Sequence, residues 1–164
     1  MNTVADIVKA QMRLLQHLGV THLRAVVGPS YGGFQAFQWA VTFPDFMDGV
    51  VPVVTSPLPP TSDRAAGLLK WFEPDPNWNG GDYYDHGGAH ASMTQIRMAT
   101  LKTYGIETRL RDTLSDPAEI EAAIREEAAE WAQGFDANSL LILARALRGF
   151  DVTKQFSKMH TFSY

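Results

Sequence analysis

The apolar positions at the start of the chain change from helical spacing to a short continuous run. Apolar residues from Val4 to Leu18 recur mainly at helical spacing, with Thr3 available to cap the helix and Gly19 to end it. The next run, 23–27, is short and mostly apolar, and a glycine–proline pair closes it. This pattern predicts an amphipathic helix followed by a strand that is buried on both faces of a parallel sheet.

The same alternation is repeated once more before residue 56. Apolar residues suit a second helix over 34–43, and a proline–aspartate pair ends it. Another apolar run, 50–54, predicts a second buried strand. The order helix, strand, sharp turn, helix, strand is part of a βαβ unit, so the sequence predicts an α/β fold with few parallel strands.

Beyond Ser56 the pattern becomes mainly helical. A proline-rich stretch comes first, and no convincing β-run follows it. Helical spacing and helix-start signals predict four helices, at 63–72, 89–104, 116–133 and 137–147. The second part of the chain is therefore expected to be a helical region.

Composition narrows the class of protein. The chain has 164 residues, 45% of them hydrophobic and 20% charged, which suits one globular domain. A net charge of -4 without a basic run argues against a nucleic-acid partner. There is no cysteine, no signal-peptide pattern and no apolar run long enough to span a bilayer, so we expect a cytoplasmic protein without a membrane partner.

A Gly-x-Ser-x-Gly sequence joins the first predicted strand to the second predicted helix. In a nucleophile elbow the serine is held out on a tight turn, and small neighbours such as Gly28 and Gly32 let the backbone turn. Gly33 permits close packing of helix and strand, and the backbone N–H of Tyr31 can donate to an oxyanion. Ser30 is the predicted nucleophile. A plain strand–helix turn or a phosphate-binding glycine loop is the alternative.

Four separated blocks of the chain resemble the homoserine O-acetyltransferase group of α/β-hydrolases. The blocks are Asp6-Ile7-Val8-Lys9-Ala10-Gln11 before the elbow, Phe34-Gln35-Ala36-Phe37-Gln38-Trp39-Ala40-Val41 after it, Asn77-Trp78-Asn79-Gly80-Gly81-Asp82-Tyr83-Tyr84 at the start of a lid, and Phe135-Asp136-Ala137-Asn138-Ser139 with Phe150-Asp151-Val152 at its end. The resemblance implies a partial α/β-hydrolase core at 1–56, a helical lid at 57–150 and a tail at 151–164 that leads toward further core strands.

The resemblance also implies a reaction. Acetyl would pass from acetyl-CoA, a co-substrate and not a bound cofactor, to Ser30 and then to the hydroxyl of homoserine, a step of methionine biosynthesis. Arg97 falls where the family carries an arginine that binds the amino-acid carboxylate, although a solvated helix arginine is the alternative. Tyr31 departs from the methionine usual in the family. Related members are plain esterases, so hydrolysis of a small ester is the second reading.

An elbow serine needs a histidine base and a carboxylate, which follow the lid in this fold. Asp151 and His160 are too close together to hold the intervening strands, so the triad acid and base are expected outside these residues. The chain therefore reads as an internal fragment that is inactive alone, or as a non-catalytic truncated module. Its short sheet would leave edges uncovered, which predicts a homo-oligomer.

Other candidate residues have simpler interpretations. His86 and His90 have a spacing that suggests metal ligands, but no third ligand is evident, so pocket or surface histidines are favoured and no metal is predicted. Five aromatic residues could line an acyl pocket or pack the lid: Trp71, Phe72, Trp78, Tyr83 and Tyr84. The acidic run 119–130 is typical of a solvated helix face.

Overall fold

A computed structural model of the chain describes residues 2–58 and 60–159, and within them two strands and seven α-helices form. The helices are α1 (Val4–His17), α2 (Tyr31–Thr42), α3 (Arg64–Phe72), α4 (His90–Thr103), α5 (Ile106–Leu110), α6 (Pro117–Gly134) and α7 (Ala137–Ala146), and the strands are β1 (Val26–Pro29) and β2 (Val50–Val53). Short 3-10 turns lie at Pro44–Phe46, Asn79–Gly81 and Thr153–Lys158. The α/β class and the mainly helical second part are confirmed.

Every helix that the sequence predicts is present, with ends close to the expected residues. The start of α1 shows why: the Thr3 hydroxyl accepts from the Asp6 N–H at 3.2 Å, and the Asp6 carboxylate accepts from the Thr3 N–H at 3.0 Å. This capping box satisfies N–H groups that the helix itself cannot. One helix, α5, was not predicted, because five residues are too few to establish a helical period.

The two strands pair in parallel, with Val26 opposite Val50. Residue 23, the predicted start of the first strand, makes only an isolated bridge to Met47. The expectation that both faces of these strands are buried is wrong, since Val27 is 66% exposed and its partner Val51 is exposed as well. Side chains alternate across a strand, and α1 and α2 cover only the face that carries Val26 and Val50.

The chain divides into two compact units. The first is formed by Met1–Asp63 with Ala144–Tyr164, and the second by Arg64–Leu143. In the first unit, α1 and α2 pack together, and the segment after α7 returns onto α2. The two hydrophobic clusters of this unit contain the buried residues Val4, Val8, Met12, Phe34, Trp39, Val41, Met47, Leu147, Phe150 and Val152.

The second unit has a helical core. Along α6 the buried residues recur every fourth position, at Ile120, Ile124 and Ala128, and this stripe packs on Met98 and Leu101 of α4. A second cluster contains three aromatic residues and five aliphatic ones: Phe72, Trp78, Tyr83, Ala89, Met93, Ala132, Ala137 and Leu141. No helix of the described residues is long and apolar enough to cross a membrane.

Candidate active site

Ser30 lies at the junction where β1 ends and α2 begins. Its backbone has φ 49° and ψ −112°, a positive φ that residues other than glycine rarely adopt. The Ser30 N–H donates to the Val53 carbonyl of β2 at 2.9 Å, and the Ser30 carbonyl accepts from the Gly33 N–H at 3.0 Å. The turn is thus held from both the sheet and the helix. Strain of this kind, of order 1–3 kcal/mol, is typical of functional positions.

The glycines around Ser30 differ in how strictly they are required. A Cβ at Gly28 would lie 2.1 Å from the Gly32 carbonyl oxygen, and one at Gly33 would lie 2.3 Å from Cγ2 of Thr55. A Cβ at Gly32 would make only an ordinary contact, 3.6 Å from Cδ of Pro29. The turn therefore depends on the absence of a side chain at Gly28 and Gly33, while at Gly32 a small side chain has room.

Tyr31 is the first residue of α2, so its N–H has no acceptor within the helix. Its side chain packs against the cluster that contains Phe34 and Phe150. Burial raises the pKa of the Tyr31 hydroxyl, and this hydroxyl is buried without a hydrogen-bond partner among residues 2–58 and 60–159. The backbone and side chain of Tyr31 thus lie in different surroundings, one at a helix start and the other in an apolar core.

Among the described residues, no side chain forms a hydrogen bond with the Ser30 hydroxyl, so none is placed to act as its base. Asp151 is engaged elsewhere: its carboxylate accepts from the Thr153 N–H at 2.9 Å and from the Thr153 hydroxyl at 2.6 Å. These hydrogen bonds hold the pKa of Asp151 below its usual value. His160 lies outside the described residues.

Arg97 belongs to the second unit, on α4. Its guanidinium carbon lies 5.3 Å from the centroid of the Trp131 ring, a cation–π arrangement. Its Nε is buried and has no hydrogen-bond partner among the described residues. Arg97 is therefore a half-buried, ring-supported cation with an unused donor, which differs from the solvated helix arginine that the sequence also allowed.

A family model described as alpha/beta hydrolase fold matches residues 1–141. The chain belongs to the alpha/beta hydrolase fold family. A strained serine between a parallel strand and a glycine-containing helix suits this family's nucleophile elbow.

Relatives of this alpha/beta hydrolase chain are enzymes by name. It is 39% identical over 163 residues to a homoserine O-acetyltransferase of Haemophilus influenzae (strain 86-028NP), covering 90% of this chain and 45% of the relative. A solved acetylester hydrolase of Corynebacterium glutamicum matches with TM-score 0.76 and 27% identity, over 96% of this chain and 47% of that one. A homoserine O-acetyltransferase of Bacillus anthracis has a similar fold, with TM-score 0.71 at 24% identity, over 98% and 46%. The chain thus spans about half the length of these proteins.

Two blocks that resemble the start and end of a lid contact each other in this hydrolase-fold chain. The Asp136 carboxylate accepts from the hydroxyls of Tyr83 and Tyr84, and it caps α7 by accepting from the Ser139 N–H at 2.6 Å. The Asn138 amide donates to the Gly81 carbonyl at 2.8 Å. Residues more than fifty positions apart are thereby joined by one polar network.

The electrostatics of this network follow from its geometry. Burial favours the protonated form of Asp136, but the hydrogen bonds from Tyr83 and Ser139 outweigh it and hold the pKa of Asp136 below its usual value. Burial, together with the hydrogen bond to Asp136, raises the pKa of Tyr83. The neutral phenol and the carboxylate are thus the favoured states in the folded chain.

The aromatic residues of the second unit serve mainly as packing. Phe72, Trp78 and Tyr83 are buried and stack in series, with centroid distances of 4.5 Å and 5.4 Å. Trp71 and Tyr84 are exposed. For the three buried residues, this arrangement favours a packing role and not the lining of an acyl pocket.

The charged candidates also have local partners. The ring Nδ1 of His90 lies 3.1 Å from the Ala132 carbonyl oxygen. Within the ranges 2–58 and 60–159, no group of three or more His, Cys, Asp or Glu residues could hold a metal ion. On the acidic face of α6, Glu121 pairs with Lys102 at 2.7 Å and Glu127 with Arg109 at 3.4 Å, so part of that face binds basic residues of α4 and α5.

Sequence reasoning missed the residues that support the elbow from the segment after β2. Val54 has φ 51°, and the Thr55 side chain lies against Gly33. The only signal was Gly33 itself, because a glycine in a first helical turn marks a place where another group approaches closely.

Proposed function

We propose that Ser30 is the nucleophile of a serine-dependent acyl transfer that moves acetyl from acetyl-CoA to homoserine. Ser30 Oγ attacks the thioester carbonyl and gives its proton to a base, and the CoA thiol leaves with a proton. The homoserine hydroxyl then attacks the acyl-Ser30 ester and gives its proton to the base. The bond between the acyl carbon and Ser30 Oγ breaks, and Ser30 Oγ takes that proton as O-acetylhomoserine leaves. The observation that carries the proposal is the strained Ser30 between β1 and α2, in a chain 39% identical to a homoserine O-acetyltransferase.

The Tyr31 N–H is the proposed oxyanion donor. It stands at the N-terminus of α2 without an intrahelical acceptor, where the helix dipole favours negative charge. A preorganised backbone donor of this kind stabilises the tetrahedral intermediate more than the ground state.

Arg97 is proposed to bind the carboxylate of the amino-acid substrate. Its buried Nε lacks a partner among the described residues, and Trp131 supports the guanidinium from one side. A carboxylate can accept from two N–H groups of a guanidinium at once, which fixes its orientation. Lysine cannot reproduce this planar fork.

The mechanism also requires a base and an acid to orient it. The chain covers 45% of the Haemophilus relative's length, and we propose that a longer form of the enzyme supplies both groups. The 164-residue chain is then expected to be inactive alone.

A chimera tests the proposal: this chain replaces the matched segment of the Haemophilus relative, and acetyl transfer from acetyl-CoA to homoserine is measured. Ser30→Ala should lower kcat/KM by at least about 10³-fold. Arg97→Lys should raise the KM for homoserine about tenfold with a smaller change in kcat. Arg109→Lys, on α5, is the matched control and should change neither value. A chimera that folds and turns over with Ser30→Ala would refute the role of Ser30.

Hydrolysis of a small ester is the second candidate function. It is favoured by the match to an acetylester hydrolase, with TM-score 0.76 and 27% identity. The discriminating measurement is hydrolysis of p-nitrophenyl acetate by the chimera with and without homoserine. Transfer predicts that homoserine accelerates release of nitrophenol and becomes acetylated, whereas an unchanged rate with acetate as the product assigns the chain to the esterases.

A further inference from the structure

The side chain of Thr55 occupies the space that a side chain at Gly33 would need. An added Cβ at Gly33 would lie 2.3 Å from Cγ2, 2.6 Å from Cβ and 3.0 Å from Oγ1 of Thr55. Real Cβ atoms do not approach other atoms this closely, so Gly33 and Thr55 are complementary in shape. The contact joins the segment after β2 to the first turn of α2, the turn that begins directly after Ser30.

The strained backbone of Val54 places Thr55 against Gly33. Val54 has φ 51°, a conformation that β-branched residues adopt only under strain. Its own side chain is 86% exposed, so burial of that side chain does not compensate for the strain. The consequence of the turn is the placement of the next residue, Thr55, against Gly33.

Thr55 is held by shape and not by a hydrogen bond. Its Oγ1 is buried and has no partner among residues 2–58 and 60–159. If the hydroxyl were the reason for a threonine here, it would be expected to have a partner, because most buried polar side-chain atoms have one. The methyl group and the branched shape are therefore the features that contact α2.

We propose that Thr55 is a positioning residue for the nucleophile. Two links tie the elbow to β2 and the segment after it: the hydrogen bond from the Ser30 N–H to the Val53 carbonyl, and the contact of Thr55 with Gly33. The first fixes the turn at its entrance, and the second prevents the start of α2 from tilting toward the sheet. Together they hold the Ser30 side chain and the Tyr31 N–H in one geometry. The consequence for acyl transfer rests on the proposed function; the positioning itself does not.

Amide hydrogen exchange of the 164-residue chain, resolved by NMR, tests the positioning. Thr55→Ala should raise the exchange rates of the Ser30 and Gly33 amides by at least about tenfold, while amides in α1 keep their wild-type rates, because the elbow opens locally. Thr55→Val keeps the branched shape and should restore wild-type rates. Thr103→Ala, on α4, is the matched control and should leave the elbow unchanged.

Three results would overturn the proposal: wild-type exchange at both elbow amides in Thr55→Ala, equal acceleration in α1, or a Thr55→Val chain that behaves like Thr55→Ala. If Thr55→Ala does not fold, a double-mutant cycle on Gly33 and Thr55 provides a second test of the contact. Gly33→Ala should disrupt the elbow less in a Thr55→Gly chain than in the wild type, and additive effects would contradict the contact. Exchange needs no turnover, so a chimera that turns over with Ser30→Ala would refute the proposed function and leave this test intact.

Discussion

The two compact units of the chain differ in how completely they cover their apolar surface. In the second unit, Phe72 and Ile124 are fully buried, each in its own helical or aromatic cluster. In the first unit, one face of the sheet carries exposed Val27 and Val51, which are register partners. Both units have buried residues, but in the unit that bears Ser30 one face of the sheet is left apolar and exposed.

The difference follows from the backbone. A helix makes its hydrogen bonds within itself, so α4 and α6 need only bury one stripe each to form a core. A parallel sheet has two faces and two edges, and parallel sheets are normally covered on both faces. The elbow thus depends on a two-stranded sheet with one face uncovered. The helices of the second unit do not depend on such a sheet.

Separating the units gives the largest expected effect. A chain of residues 64–146 keeps α7 whole and should unfold cooperatively as a monomer. A chain in which residues 64–143 are replaced by a short Gly-Ser linker should lose cooperative unfolding or self-associate. The linker can be short because Asp63 and Arg148 form an ion pair at 2.8 Å. Thermal unfolding followed by circular dichroism, with light scattering, distinguishes the two outcomes.

The exposed face of the sheet is the expected cause of self-association in the first unit. The double substitution Val27→Thr and Val51→Thr keeps β-branched residues in register and should reduce association of the first unit. Leu14→Ala, at an exposed position of α1 in the same unit, is the control. A first unit that stays monomeric and unfolds cooperatively would contradict the contrast between the units.

A single methyl group should disrupt the first unit through the elbow. Gly28→Ala would bring a Cβ within 2.1 Å of the Gly32 carbonyl oxygen, and relief of that clash requires backbone movement. We expect a loss of about 3 kcal/mol or more in the free energy of unfolding, measured with urea. Gly32→Ala has room for its methyl and should change stability by less than about 1 kcal/mol, with either sign. Equal losses for the two variants would contradict the turn geometry.

The local parts of this fold could be predicted from the sequence. Thr3 with Asp6, and Asp116 before Pro117, carry their own helix-start signals, and both helices begin where those signals lie. The Gly-x-Ser-x-Gly sequence placed Ser30 at the strand–helix junction for the same reason. In each case the determining contacts lie within a few residues along the chain.

The parts that could not be predicted depend on distant contacts. The support of Gly33 by Thr55 joins positions 22 apart, and no local pattern marks Thr55. The apolar composition of the strands led to the prediction that both of their faces are buried. Composition alone does not show whether another element packs on each face. Asp136 illustrates the same limit, since only the fold brings Tyr83 to it.

A smaller effect is expected in the aromatic cluster of the second unit. Tyr83→Phe keeps the ring stacking and removes the hydroxyl that donates to Asp136 and accepts from the Asn138 N–H at 3.0 Å. We expect a loss of about 1–3 kcal/mol, because the half-buried Asn138 N–H loses its acceptor and the Asp136 carboxylate loses one of its donors. Tyr84→Phe removes an exposed hydroxyl and should cost less than about 0.5 kcal/mol. Urea unfolding of both variants measures the difference. Equal losses would contradict the larger contribution of the Tyr83 hydroxyl.

The charge on Asp136 gives the smallest expected effect, a pH dependence in the stability of the second unit. Hydrogen bonds hold the pKa of Asp136 below its unfolded value of about 3.9, so its contribution to stability is complete above that value and is lost as the pH falls through the lowered pKa. In residues 64–146, the melting temperature should fall between about pH 5 and pH 2 more steeply for the wild type than for Asp136→Asn, which cannot titrate at this position. Asp75, whose pKa is also lowered, titrates in both chains and cancels in the difference. Parallel pH profiles for the two chains would show that the carboxylate of Asp136 contributes no net charge-dependent stability.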